Sequence, residues 1–275
     1  MHADSNRLPQ PSENLQVSVV IPVFNAKGHL GRAVSSALNQ SMDSLEVIVV
    51  DDASTDGSIE ELSVDDPRLI VISLEVNSGS PARPRNIALS QAKGEWVAFL
   101  DADDVWQSKK LEYQLALLHE SGMSASSTNA LKVSSGAEDE MFFNHCPNII
   151  DLRMLLKRNL IITSSFIVKR ELLEQCGSFS EQGTSIYEDY GMWLRIATRS
   201  EIAVDARPLL SYLDHVDGSF KSRYGAHFSN LKVTFRDFQV WSKEADRPVG
   251  LINSLQIVRS LTFAALARIR ALIHF

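Results

Sequence analysis

Apolar residues first cluster at Val17–Val23 (VSVVIPV), a short β-branched run of the kind that forms a fully buried strand. Leu30, Ala33, Val34, Ala37 and Leu38 then recur at i, i+3, i+4, i+7 and i+8, which predicts an amphipathic helix. Leu45–Val50 (LEVIVV) reads as a second strand, stopped by Asp51-Asp52. Ser54-Thr55-Asp56-Gly57-Ser58 reads as a turn and cap cluster, with Asp56 as a cap, opening a short helix at Ile59–Leu62. Leu69–Leu74 is a third strand, followed by a Gly/Ser/Pro loop and a helix through Ile87 to Ala92. Trp96–Leu100 (WVAFL) is a fourth strand and runs into Asp101-Ala102-Asp103-Asp104, after which Leu111, Leu115 and Leu118 mark a helix. Beyond about residue 120 the pattern weakens. Ala125–Val133 and Ile161–Val168 are read as strands, and Asp151–Lys157 and Asp189–Thr198 as helices.

Strands alternating with helices at this spacing imply βαβ units, hence an α/β fold with a mostly parallel, doubly wound sheet. The composition is that of a globular chain: 275 residues, 44% hydrophobic and 22% charged, which excludes disordered and disulfide-scaffold classes. Cys146 and Cys176 stand in unrelated contexts without a CxxC, so free thiols in a reducing compartment are expected. The first 14 residues are polar, with no apolar segment of the kind a signal peptide needs. Nowhere do 18 apolar residues run together, so a cytoplasmic protein without a membrane span is expected.

Net charge is −7 and unevenly placed. Residues 1–120 carry 9 Lys/Arg against 18 Asp/Glu, and the remainder 18 against 16. An acidic N-terminal half excludes a phosphate-backbone surface, and with it nucleic acid as a partner. Acidic groups at strand ends are instead suited to a divalent metal. In open parallel sheets ligands bind beyond the carboxyl ends of the strands. Three strand ends here are polar: Pro22 and Asn25 after the first, Asp51-Asp52 after the second, and Asp101 and Asp103 after the fourth. If these strands are parallel, four carboxylates surround one crevice, and Mg²⁺ or Mn²⁺ with a phosphate ligand relieves their repulsion.

These residues belong to longer motifs. VVIPVFN (19–25), VIVVDDASTDGS (47–58), RNIAL (85–89), GEWVAFLDADDVWQSKKLEYQ (94–114) and YEDYGMWLRIA (187–197) together resemble the family 2 glycosyltransferases. PLLSYLDHVDGS (208–219) is similar to the segment that follows the last of these in many members, so the likeness covers roughly residues 16–220. The resemblance implies a GT-A fold and an inverting, metal-dependent transfer from a nucleotide-diphospho-sugar to a glycan or lipid-linked acceptor. It implies a nucleotide-sugar-binding half over 16–120 and an acceptor-binding and catalytic-base half over 121–225; outside it, a disordered tail is expected at 1–15 and a helical appendage, bearing the apolar basic segment, over 226–275. By the same resemblance Pro22, Asn25 and Asp52 line the nucleoside pocket with Asp51 in support, and Arg85 approaches the diphosphate or the nucleoside. Asp101 and Ala102 meet the ribose or sugar, and Asp103 ligates Mn or Mg. Asp189 is the catalytic base, with Glu188 beside it as an orienting or helix first-turn carboxylate. His215 is a further metal ligand, an active-site wall or a plain loop histidine.

The chain departs from the family pattern at Pro84, tolerated in a helix's first turn, and at Ala88, where glycine is usual. Arg83 is an extra cation, read as a solvated loop charge, and Lys109-Lys110 as a solvated helix face; Trp106 and Trp193 are read as core. Leu251–Phe275 is apolar with Arg259, Arg268 and Arg270 and no acidic residue, which fits either a helix on a membrane surface or one packed on this chain or on a second copy in a homodimer. Two other classes bear on the same acidic pattern. A sugar nucleotidyltransferase calls for a Gly-rich basic loop after the first strand, where Pro22–Gly28 offers one lysine and one glycine. A nucleotide-binding or receiver-like module has no need of Glu188-Asp189.

Overall fold

The computed structural model describes residues 15–134, 139–181, 187–213 and 227–244. Residues 1–14 of the tail expected at 1–15, His215, and the basic apolar segment 251–275 lie outside the described residues. The elements in chain order are β1 (Val17–Val23), α1 (Leu30–Leu38), β2 (Leu45–Asp51), β3 (Leu69–Ser73), α2 (Ala82–Gln91), β4 (Trp96–Phe99), β5 (Val105–Trp106), α3 (Lys110–Ser121) and β6 (Ala125–Val133). There follow β7 (Glu140–Met141), β8 (Ile149–Ile150), α4 (Leu152–Leu155), a 3₁₀ turn at Thr163–Ser165, β9 (Ile167–Lys169), α5 (Arg170–Cys176), α6 (Glu188–Ala197), β10 (Ile202–Leu213) and α7 (His227–Glu244).

One sheet runs through the molecule in the order β3-β2-β1-β4-β9-β6-β10-β5, with β7 on β6 and β8 on β10. Its first four strands are parallel, while β9 runs antiparallel to both β4 and β6. Parallel pairing of β1 with β2 and β4 brings the three polar strand ends to one edge of the sheet, as the sequence implied. Every residue of β2 is buried, and so is every residue of β1 except Pro22, because helices cover both faces. Leu30, Ala33, Val34, Ala37 and Leu38 of α1 join Leu111 and Leu118 of α3 against Val19, Ile21, Val47 and Val49. On the other face Val20, Ile48, Val50 and Phe99 meet α2, α6 and α7. Trp193 is the centre of that layer, with ring contacts to Phe99 at 5.5 Å, Phe166 at 4.1 Å and Phe179 at 6.3 Å. Both cysteines are free.

Three local expectations change. Ile59–Leu62 forms a single turn instead of a helix, because Asp56, Ser58 and Glu61 spend their side chains on the neighbouring loop. Ile161–Val168 is a strand only in its last residues. Ser165 Oγ donates to Ile162 O at 2.6 Å, and such local side-chain bonding favours the 3₁₀ turn over ladder pairing. Lys110, expected on a solvated face, is fully buried. Its Nζ lies 4.0 Å from the Trp106 ring centroid and donates to Gln114 Oε1 at 2.7 Å, and burial pushes its pKa well down.

The join between α2 and β4 is tight. Ser18 Oγ accepts from Lys93 N and Gly94 N and donates to Glu46 Oε1 at 2.6 Å. A Cβ on Gly94 would stand 2.5 Å from Ser18 N and 2.7 Å from Val17 C, both backbone atoms of a central strand. Gly94→Ala should therefore cost about 1–3 kcal/mol, as overpacking does. Urea unfolding checks this, with a lowered midpoint at unchanged slope as the expected result.

Candidate active site

The loops after β1 and β2 each carry a positive-φ residue and are joined by a set of side-chain caps. Asn25 has φ +52° and Ala53 φ +60°, and the two turns face one another. Asn25 N donates to Ser54 Oγ (2.9 Å), Ala26 N to Ser58 Oγ (3.1 Å), Lys27 N to Asp56 Oδ2 (2.8 Å) and Gly28 N to Glu61 Oε2 (3.2 Å). Thr55 N returns a bond to Asn25 Oδ1 at 2.9 Å. Four consecutive amides are thus consumed by the following loop, so they form no phosphate cradle of the kind a nucleotidyltransferase reading asks for. Burial works against the Asp56 carboxylate, but its hydrogen bonds from Ser58 and Lys27 hold its pKa below the usual value.

Asp51 and Asp52 are both buried. Asp51 Oδ1 accepts from Ser54 N (3.1 Å), capping the turn. Asp52 receives Ser78 N on both oxygens at 3.0 Å and Ser78 Oγ at 2.8 Å, while Asn77 Nδ2 reaches Asp52 O. Ser78 and Asn77 join Ser80, Arg83 and Glu181 around a polar cleft of about 290 Å³. Arg83 is exposed and lines this cleft.

A second cluster centres on Arg85 in the first turns of α2. The guanidinium, expected to approach the diphosphate or the nucleoside, is enclosed and only 3% exposed. Nη1 donates to Glu188 Oε1 at 2.5 Å and Nη2 to Asp101 Oδ1 at 2.8 Å, with the Phe179 ring 5.7 Å away. Two carboxylates on opposite sides of the fork turn the cation inward. Burial works against the charge, but Asp101, Glu188 and Asp189 outweigh it and keep Arg85 protonated. Glu188 is pushed up to about 7, chiefly by burial, with Asp189 reinforcing and Arg85 opposing the shift. Pro84 is the third residue of α2, in the first turn, where its ring is tolerated. Next to Arg85, Asn86 clamps the chain ahead of α6: its Nδ2 donates to Phe179 O (3.0 Å) and Glu181 Oε1 (2.6 Å), and its Oδ1 accepts from Phe179 N (2.8 Å).

Beyond β4, Asp101 is partly exposed, Ala102 and Asp104 are buried, and Asp103 is half-buried. Asp104 accepts from Ser164 Oγ (2.5 Å) and Leu213 N (3.1 Å). Burial raises its pKa well above the usual carboxylate range, helped by Asp103 and Asp101 and opposed by those hydrogen bonds. Asp189, second residue of α6, is half-buried, and its Oδ2 accepts from Thr163 Oγ1 at 2.7 Å. Ser164 Oγ accepts from Asp101 N at 3.0 Å, and Trp106 Nε1 donates to Ser164 O at 2.7 Å. Two clusters therefore result: Asn25, Asp51 and Asp52 with Ser78, and Arg85, Asp101, Glu188 and Asp189 around the Thr163–Ser165 turn. Thr163, Ser164 and Asn86 were not singled out in the sequence. The hydroxyl triplet Thr163-Ser164-Ser165 interrupting the apolar run IITSSFIV was the available signal.

The sequence profile of glycosyl transferase family 2 matches residues 18–177. TuaG of Bacillus subtilis (strain 168), named as a teichuronic acid biosynthesis glycosyltransferase, is 34% identical over 210 residues, covering 75% of this chain and 81% of TuaG. WfgD of Escherichia coli, a UDP-Glc:α-D-GlcNAc-diphosphoundecaprenol β-1,3-glucosyltransferase, is 31% identical over 189 residues, covering 68% of this chain and 72% of its own. Among solved structures, S. aureus TarS 1–349 with UDP-GlcNAc superposes with a TM-score of 0.74 at 24% identity, over 90% of this chain and 71% of that one. That likeness is one of fold, and it confirms the GT-A architecture expected from the motifs. The chain belongs to glycosyl transferase family 2 and is a glycosyltransferase.

Proposed function

We propose that this glycosyltransferase moves a sugar from a nucleotide-diphospho-sugar to an acceptor hydroxyl in polysaccharide or glycolipid assembly, inverting the anomeric centre in one displacement. The observation that carries the reading is the Arg85 fork. It joins Asp101, at the donor-side strand end, to Glu188, next to Asp189 on α6. A nucleotide-binding module has no use for such a link to a second carboxylate pair. The printed names of relatives support the substrate class, since WfgD uses UDP-Glc on a diphosphoundecaprenol-linked sugar. TarS was solved with UDP-GlcNAc, and a structural neighbour from Pyrobaculum calidifontis with GDP-Man and Mn²⁺.

In this reading the nucleoside lies near Pro22, Asn25 and the Ser78-capped Asp52, bordering the cleft that Arg83 lines. Asp101 and Ala102 border the sugar. Asp103 is the metal ligand. Among the described residues no group of three or more His, Cys, Asp or Glu side chains is arranged to hold a metal. Asp103, with Asp101 beside it, would supply oxygen donors of the kind a hard divalent cation takes. A divalent ion held there would offset the charge on the departing nucleoside diphosphate. Asp189 takes the proton of the attacking hydroxyl, a role typically contributing about 10²–10⁴ in rate. Arg85 acts as a positioning residue, holding Glu188 and Asp101 in register while its own charge stays out of solvent. Among the described residues no helix is long and apolar enough to cross a membrane. A lipid-linked acceptor would give segment 251–275, with its three arginines, a reason to meet a membrane surface.

Removing the ligand at the acidic turn should separate metal from nucleotide. In Asp103→Asn, calorimetric titration with UDP or GDP should lose the Mn²⁺-dependent part of the affinity and keep the metal-free part. Equal metal dependence in mutant and wild type would refute the assignment.

The two adjacent carboxylates should behave differently. Asp189→Asn should leave nucleotide affinity near wild type and lower kcat by about 10²–10⁴, read as nucleoside diphosphate release from UDP-glucose, UDP-GlcNAc or GDP-mannose. Glu188→Gln should cost less. Glu188 in the fold holds its proton up to about 7 against an ordinary value of 4.5. The native state therefore binds more protons than the unfolded chain between those values, and stability falls as pH rises through them. Glu188→Gln should flatten that fall in urea unfolding measured across the window.

A further inference from the structure

We infer that Thr163 is a positioning residue for the reaction: through its hydroxyl, it sets the direction of the Asp189 carboxylate relative to the acidic turn that carries Asp101 and Asp103. This rests on Asp189 being the base. One three-residue turn, Thr163–Ser165, touches both partners. Thr163 Oγ1 donates to Asp189 Oδ2 at 2.7 Å. The adjacent Ser164 Oγ accepts from Asp101 N at 3.0 Å and donates to Asp104 Oδ2 at 2.5 Å. One peptide unit thus separates the group that orients the base from the group that fixes the donor-side turn.

The turn itself is anchored from below, so it acts as a rigid spacer. Ser164 O accepts from Trp106 Nε1 (2.7 Å), and Ser165 O accepts from Gln114 Nε2 (2.9 Å). Ser165 Oγ lies 2.7 Å from Ser127 Oγ. Gln114 is held in turn by the buried Lys110. Thr163 is 7% exposed, and Ser164 and Ser165 are fully buried. A buried polar turn with each of these groups partnered is stiff, and its hydroxyls have fixed jobs. A carboxylate on the first turn of α6 can rotate about χ1 and χ2. Tyr190 N donates to Asp189 Oδ1 at 2.6 Å, and the Thr163 donor fixes the second oxygen, so the two together select one rotamer and leave the remaining lone pairs for the acceptor proton. A misplacement of about 1 Å at such a group can cost on the order of 10²-fold in rate.

The test compares Thr163→Val, which keeps shape and removes the donor, with Thr163→Ser, which keeps the donor. The donor substrate is whichever of UDP-glucose, UDP-GlcNAc and GDP-mannose gives the fastest nucleoside diphosphate release with the wild type. Thr163→Val should lower kcat about 10- to 100-fold with donor KM and calorimetric affinity for the corresponding nucleoside diphosphate unchanged, and Thr163→Ser should restore most of the rate. Adding Thr163→Val to Asp189→Asn should cost nothing further, because the hydroxyl acts only through that carboxylate. A wild-type kcat in Thr163→Val while Asp189→Asn is inactive would overturn the inference and leave the base in place. Equal losses in the Val and Ser variants, or a further loss in the double variant, would also overturn it, marking Thr163 as packing only. An active Asp189→Asn would bring down the base assignment, and the role of Thr163 with it.

Discussion

A single buried guanidinium holds this site together. Arg85 spans from α2 to the end of β4 and to the start of α6, two elements separated by almost ninety residues of chain. Its charge is tolerable inside only because carboxylates meet it on both sides, and removing one member of such a set commonly costs about 3–5 kcal/mol. The arrangement also sets the chemistry of its partners. Glu188 is buried against Arg85 and rises to about 7, while Asp189, one residue further on, stays half-buried and faces Thr163. Two adjacent carboxylates thereby receive different environments, one enclosed against Arg85 and one half-buried against Thr163.

The rest of the crevice follows the same logic, with side chains fixing loops that carry no regular structure. The β1 loop is tied by four consecutive amides to Ser54, Ser58, Asp56 and Glu61. Asn86 ties the chain ahead of α6 to α2. The Thr163–Ser165 turn ties the acidic turn to α6. Each tie joins segments distant in sequence, and the parallel strands beneath supply the common edge on which they meet.

The N-terminal half was legible because its signals are local and strong. Fully apolar strands, the period of Leu30–Leu38 and the carboxylates at strand ends each name an element or an edge without reference to anything distant. The family motifs then named the activity. What the sequence concealed depends on tertiary partners. Lys110 looks like a surface lysine, and only Trp106 and Gln114 explain why it is buried. That Arg85 is buried between Glu188 and Asp101 is not legible in the RNIAL motif, because both partners lie outside α2. Ile161–Val168 has strand composition, yet its hydroxyls bond locally and bend it into the turn that serves the site. β10 was not anticipated, since its twelve residues include Asp205, Arg207 and Pro208 and shift register against β6 twice.

Arg85 and Glu188 form one buried unit that ties the end of β4 to the start of α6. The most direct measurement is the coupling free energy between them, from urea unfolding of Arg85→Met, Glu188→Gln and the double variant at pH 8. Arg85→Met alone should be strongly destabilising, because it strands buried carboxylates, and adding Glu188→Gln should recover part of the loss, with a coupling of about 1–3 kcal/mol. Additive effects, with the double variant losing the sum of the two single changes, would contradict a coupled Arg85–Glu188 unit.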